Sequence, residues 1–169
     1  MSFSKLRKEN SALVAALDLF GDKWTLLILA GCLSNMCRFN DLEKRLGINR
    51  NILSNRLDKL LTAGILEKHM YNEKPKRYEY HVTQAGLDTR PFLAALMHWS
   101  EHNLVSGKAP ISLVHKECGN TIDIAIRCPS CNKNIDTDDI APMLNPNAGK
   151  VSTQFFKDST TPFHRRSTG

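Results

Sequence analysis

Two sets of residues in this 169-residue chain combine types and spacings that can do chemistry. The first is His115, Cys118, Cys128 and Cys131, spaced H-x2-C-x9-C-x2-C, two ligand pairs joined by the β-prone stretch TIDIAIR. Three thiolates and one imidazole satisfy tetrahedral zinc. Gly119 and Pro129 suit the tight turns that such pairs need. A lone C-x-x-C would serve equally well as a redox pair, but four ligands in two pairs point to a metal. The expected role is structural, because so short a segment has little core and a closed site supplies folding energy. The open alternatives are a pair of turns that has lost its metal, or a site whose fourth ligand is not His115. Catalysis would need an open coordination position, and no general base is indicated nearby.

The second set lies in GINRNILSNRLDKLLTAGIL, residues 47–66. Leu53, Leu57, Leu60 and Leu61 recur at the spacing of one helix face. The other face carries Asn51, Ser54 and Asn55, with Arg50 at the start and Lys59 on the flank. Asn and Ser compete with the backbone for hydrogen bonds and are poor choices for a merely solvated helix surface. They are good choices for base edges: Asn bonds N6 and N7 of adenine, Arg grips O6 and N7 of guanine, and Ser reaches base or phosphate. Arg56 projects nearer the apolar edge, where an ion pair with an acid of a neighbouring helix suits it as well as a phosphate does. Beyond this helix, Lys74, Lys76 and Arg77 bracket Pro75 and are suited to phosphates rather than to coding.

Charge supports the same reading. Between Lys44 and Arg77 nine Lys/Arg face three acids, so this stretch carries +6, the whole surplus of the chain. A basic run on one structural unit is the electrostatic footprint of nucleic-acid binding.

The elements that must position these residues follow from periodicity. Helices are expected over about 10–20, 23–33, 40–46 and from the Asn49 cap to Gly64, with breaks at Gly21-Asp22 and Gly47. Two strands, ILEKHMY and RYEYHVT, flank the turn NEKPK, with Tyr78, Tyr80 and Val82 alternating against polar neighbours. Trp24, Trp99, Tyr78 and Tyr80 read first as core or interface. A helical segment then reaches about Val105, with Pro91 either opening its main part behind Thr89 or kinking it. The fold class is mainly α with a small β-hairpin (α+β): a winged helix-turn-helix domain over 1–106, a zinc-ribbon-like module over 107–144 and a flexible tail over 145–169. In such a fold the second helix of the turn enters the major groove.

The last helical segment is apolar on more than one stripe, so it must bury two faces, and the first helix has a similar surplus. A homodimer through these terminal helices is expected. A pocket near Phe92, Met97, His98 and Trp99 would suit a small apolar effector, though packed core explains the same residues. No run of 18 apolar residues suggests a membrane span, and the start MSFSKLRKEN lacks a signal-peptide apolar region, so the expectation is a soluble, cytoplasmic protein. Five cysteines without a secretory signal favour thiols or a metal over disulfides.

The stretches LDLFGDKWTLLILAGCL, RFNDLEKRLGINRNILSNRLDKLLTAGIL and YNEKPKRYEYHVTQAG resemble the HxlR-type winged helix-turn-helix regulators of bacteria, over about residues 10–105. The resemblance implies a cytoplasmic homodimer, joined through its terminal helices, that binds a palindromic operator as repressor or activator. The resemblance also implies a cysteine just before the first helix, present in many such proteins and in several a redox or electrophile sensor. Here Ser11 stands at that place, and a hydroxyl forms neither thiolate nor disulfide. Cys32 and Cys37 have little beside Arg38 to lower a thiol pKa. The His115–Cys131 segment is similar to a zinc ribbon, and a cysteine-bearing extension follows the winged domain in some of these regulators. The functional expectation is a sequence-specific double-stranded DNA-binding transcriptional regulator. The alternative is a protein-interaction adaptor that uses the ribbon on a winged-helix dimer scaffold. An enzyme is disfavoured, since no Gly-rich phosphate loop, metalloprotease motif or nucleophile–base pair is evident.

Overall fold

The computed structural model describes residues 7–9, 11–107, 109–146 and 148–156. Helix α1 (Ala12–Phe20) is followed by α2 (Thr25–Leu33), α3 (Phe39–Leu46) and α4 (Arg50–Thr62). Strands β1 (Leu66–Glu73) and β2 (Lys76–Val82) form the wing, and α5 (Gln84–Leu87) and α6 (Arg90–Asn103) complete the domain. Beyond them lie β3 (Ile126–Arg127), β4 (Asn134–Ile135), a 3-10 turn (Thr137–Asp139) and α7 (Lys150–Phe156). By internal contacts the chain divides into one unit of Leu17–Ile124 and a second of Met1–Ala16 with Ala125–Gly169. This division runs through the expected 107–144 module rather than around it.

The first unit is organised by α2. Ile28 and Leu29 are fully buried, and Leu42 of α3, Leu53, Leu57 and Leu60 of α4 and Tyr80 of β2 close over them. The break before α2 has a clear cause. The Asp22 carboxylate accepts the Trp24 and Thr25 amides (3.0 and 3.1 Å) and the Thr25 hydroxyl (2.6 Å), capping the helix from three residues before Thr25. Gly47 closes α3 in the left-handed conformation (φ 61°), which gives the chain its sharp turn into α4. Asn49 then caps α4 as its sequence position predicts, its side-chain oxygen accepting the Asn51 amide at 2.9 Å.

The wing is antiparallel, paired from Leu66↔Val82 to Glu73↔Lys76 with an irregularity between Met70 and Asn72. A third segment joins it: Arg38 bridges Glu79, and the Tyr80 amide donates to the Cys37 carbonyl at 2.7 Å. After the wing, the expected long helix is two. Thr83 caps α5, whose Gly86 packs so close to the Ile65 carbonyl that a Cβ would collide with it. Pro91 falls in the first turn of α6, where its missing N–H costs nothing. Thr89 occupies the cap position, yet its hydroxyl donates back to the Gly86 carbonyl (2.6 Å) and does not cap α6.

Leu17, Leu27, Phe92, Leu96 and Trp99 stay exposed on α1, α2 and α6, Trp99 by 53%. The surplus of apolar surface expected on the first and last helices is present. At the end of this unit Val114 bridges Thr121, and His115 N donates to the Asn120 carbonyl (2.8 Å), making a tight hairpin.

In the second unit β3 pairs β4 through Ile126↔Ile135 and Arg127↔Asn134. The tail expected to be flexible from residue 145 contains α7, whose first turn is held by Glu9: its carboxylate accepts the Val151 and Ser152 amides at 2.8 and 2.7 Å. The sequence around α7 has no apolar period, so a cap supplied from residue 9 was not readable there. Residues 157–169 lie outside the described set. Among the described residues, no helix is long and apolar enough to cross a membrane.

Candidate nucleic-acid interface

Helix α4 is split by its 3.6-residue period into a buried and an open face. Leu53, Leu57 and Leu60 anchor it, while Asn51, Ser54 and Asn55 are exposed. None of these three side chains hydrogen-bonds to another described residue, so their donors and acceptors are available. Arg50, at the start of the same helix, donates to Glu43 of α3 at 2.7 Å and lies over the Phe39 ring. The pair is largely exposed, so water screens it and the guanidinium can exchange Glu43 for another acceptor at little cost.

Arg56 and Lys59 do something different. Arg56 Nε lies 3.0 Å and Lys59 Nζ 3.8 Å from the same Asp22 carboxylate oxygen. Arg56 Nε is buried and poorly aligned for a hydrogen bond, so the contact is an ion pair that ties α4 to the start of α2. Burial alone would raise the Asp22 pKa, but the Thr25 hydroxyl, the Trp24 amide and the Arg56 guanidinium outweigh it and bring the carboxyl down to about 2. Arg56 thus takes the structural role weighed against a phosphate contact. Lys59, expected with the DNA-facing set, leans toward the same acid.

The wing supplies the remaining cations. Lys76 and Arg77 line a groove of about 500 Å³ together with Arg38, Asn40, Arg50 and Tyr71. Lys74 sits at the turn itself, which Asn72 closes by donating to the Pro75 carbonyl at 2.7 Å. Among the described residues no acid pairs with Lys74, Lys76 or Arg77. Lys68 points elsewhere, its ammonium 4.0 Å from the Tyr78 ring centroid. The groove therefore runs from the N-terminal end of α4 to the wing tip, and its wall carries four cations, Arg38, Arg50, Lys76 and Arg77, against one acid, Asp41.

Arg38 was not among the residues expected here. It lines the groove, stacks over Tyr71 and is fixed by an ion pair from Nε to Glu79 Oε1 at 2.8 Å. Its partner lies 41 residues away, so no local spacing reveals it.

The two ligand pairs predicted for zinc each sit in a hairpin turn. His115 Nδ1 is 3.3 Å from Cys118 Sγ, in the first unit. In the second, Cys128 N donates to the Lys133 carbonyl, Asn132 N donates to the Cys128 carbonyl, and Asn132 takes a left-handed φ of 61°. Hydrogen bonds from the Cys131 and Ser130 backbone amides hold the Cys128 thiol below its usual range. A turn that aims amides at a sulfur fits a thiolate, the form that binds a metal. Cys32 behaves oppositely: burial, with the neighbouring Cys37, pushes its thiol up to about 12, and it stays protonated.

The pocket expected near Phe92, Met97, His98 and Trp99 takes a different form. Phe92 and Trp99 are exposed, while Met97 and His98 line a cavity of about 290 Å³ with Ile111, Leu113 and Ile122.

A tri-helical core, a helix with an open amide face and a two-stranded basic wing define a winged helix-turn-helix protein. The chain belongs to the HxlR-like helix-turn-helix family, whose pattern matches residues 19–108. It is 36% identical over 141 residues to Rv3095 of Mycobacterium tuberculosis, an uncharacterised HTH-type transcriptional regulator; the match covers 83% of this chain and 89% of that one. A match of that length necessarily takes in His115 to Cys131. The solved structure of PA1374 from Pseudomonas aeruginosa, a proposed transcription factor, is 26% identical with a TM-score of 0.61, covering 83% of this chain and 97% of that one. PA1607, also a proposed transcription factor, shares the fold with a TM-score of 0.73 at 24% identity over 83% of this chain and 99% of that one.

Proposed function

We propose that this protein is a sequence-specific, double-stranded DNA-binding transcriptional regulator that acts as a homodimer on a palindromic operator. The carrying observation is the unpartnered Asn51, Ser54 and Asn55 face of α4, set beside a groove lined by Arg38, Arg50, Lys76 and Arg77. Asn51 and Asn55 read base edges, Arg50 reads a base after leaving Glu43, and the wing cations hold phosphates. Membership in a helix-turn-helix family and the regulators it resembles support this reading. The exposed apolar residues of α1 and α6 support the dimer, because faces of this kind are ordinarily covered. An effector, where one acts, is best accommodated by the cavity beside Met97 and His98.

The extension is read as a structural zinc module using His115, Cys118, Cys128 and Cys131. Ligand spacing and the hairpin that holds each ligand pair support it.

Gel shifts on the chain's own upstream region test the DNA reading. Retention of that duplex over a scrambled one at low salt is expected, and loss of all preference would sink it. Native mass spectrometry, with and without chelator, reads dimer and zinc together. A monomer mass, or a chain that never carries zinc, removes the corresponding part.

A further inference from the structure

Away from the cysteine-bearing extension, the base of the wing gathers three side chains of metal-binding type. Cys37 Sγ, a Glu79 carboxylate oxygen and a His81 ring nitrogen all lie within 4.8 Å of one another. They come from two elements. Cys37 precedes α3 on the segment that pairs with the wing, and Glu79 and His81 are two apart on β2, hence on the same face of that strand. Among the described residues no other group of three or more His, Cys, Asp or Glu side chains converges in this way.

We propose that Cys37, Glu79 and His81 form a binding site for a thiophilic divalent transition metal of the zinc class. A thiolate, an imidazole and a carboxylate make the mixed S, N, O donor set that suits zinc and cobalt and is poorly matched to calcium or magnesium. Donors around a tetrahedral ion at about 2.0–2.3 Å stand roughly 3.3–3.8 Å apart. The existing spacing therefore needs only side-chain rotations to close.

The surroundings prepare the ligands. Arg38 occupies Glu79 Oε1 at 2.8 Å and leaves Oε2, which lies 3.2 Å from His81 Nε2. A metal would sit between these two atoms, with the imidazole in its Nδ1–H form so that the Nε2 lone pair faces the ion. Fixing a ligand through its second oxygen is what outer-shell partners do at metal sites. The Arg38 guanidinium, with His81 beside it, also keeps the Glu79 carboxyl below its usual pKa.

Cys37 Sγ now donates to the Asn35 carbonyl at 3.4 Å. On binding it loses its proton to solvent and its sulfur turns to the ion. In the empty site the Glu79 carboxylate and the Arg38 cation cancel, and loss of the Cys37 proton on binding leaves a net −1 to meet the dication. A cavity of about 320 Å³ opens beside Cys37 and His81, also lined by Arg90, and gives the ion a path and room for a fourth, non-protein ligand. Three protein ligands with one open position make an exchangeable site rather than a closed structural one. Occupancy would lock the segment that leads into α3 onto β2.

Cobalt(II) is the probe, because a cobalt–thiolate bond has a charge-transfer absorption. The full chain carrying Cys118→Ser, Cys128→Ser and Cys131→Ser is titrated. One equivalent per chain is expected to bind with this absorption. Adding Cys37→Ser should abolish the band, His81→Ala should weaken binding at least tenfold, and Cys32→Ala should leave it unchanged. No band in the triple-serine chain, or a band that survives Cys37→Ser, overturns the proposal. Should the triple-serine chain not fold, Cys37→Ser in the otherwise native chain must lower the cobalt stoichiometry by one. An unchanged stoichiometry there refutes the site just as firmly. None of these readouts depends on DNA.

Discussion

Helix α4 and the hairpins that carry Cys118, Cys128 and Cys131 both present the side chains proposed to function, and they are supported by opposite means. In α4 the work is done from beneath: Leu53, Leu57 and Leu60 are buried to within 1% and hold the helix while its other face stays open. The hairpins have almost nothing beneath them. Ile122, Ile126 and Val114 are all exposed, and β3 and β4 are two residues each. A two-stranded ribbon of that size is not stable on hydrophobic burial alone. The contrast explains why one region reads as a core-built platform, whereas the other is read as a site whose ligands must supply the cohesion.

Removing metal should break the comparison most dramatically. With a strong chelator, amide protection across residues 113–122 and 126–135 is expected to vanish in hydrogen exchange, while α2 and α4 remain protected. Equal protection with and without metal would mean that the hairpins hold themselves.

Truncating the core comes next. Leu57→Ala should cost roughly 2–5 kcal/mol in urea unfolding, whereas Ile126→Ala, at an exposed position, should stay within about 0.5 kcal/mol.

A third difference is electrostatic. The Asp22 carboxyl, lowered from 3.8 to about 2, binds its proton less readily in the folded state than in the unfolded one. Its contribution is therefore complete above pH 4 and lost as pH falls toward 2. It amounts to about 2 kcal/mol by linkage. The acid limb of a pH-stability curve should flatten by that amount in Asp22→Asn, which cannot titrate.

The smallest effects separate reading from holding within the interface. Asn55→Ala is expected to cost roughly 1–3 kcal/mol of discrimination at one operator position. Lys76→Ala should weaken all duplexes alike and reduce the salt slope by about one. Similar sequence profiles for both variants would place the reading surface elsewhere.

Much of the fold was legible because its signals are local. Helix breaks at Gly21-Asp22 and Gly47, the Asn49 cap and the alternation of β2 all express short-range sterics and hydrogen bonding, and each element formed where they indicate. The split between α5 and α6 was only half visible. Pro91 announces a helix start, but the turn before it depends on Gly86 packing against Ile65, twenty-one residues upstream.

By itself, the sequence determined which face of α4 would be open. Helical period and residue type place Asn51 and Asn55 opposite Leu53 and Leu57, with Ser54 on the flank, whatever the rest of the chain does. Only the tertiary structure decided the fate of the cations around that face. Arg56 and Lys59 turn to Asp22, Arg50 to Glu43, and Arg38 joins from outside the helix. It alone brought Cys37 beside Glu79 and His81. The physical reason is the same in each case: a side chain's face follows from backbone geometry a few residues long, whereas a charge or ligand partner comes from whichever distant segment packing delivers.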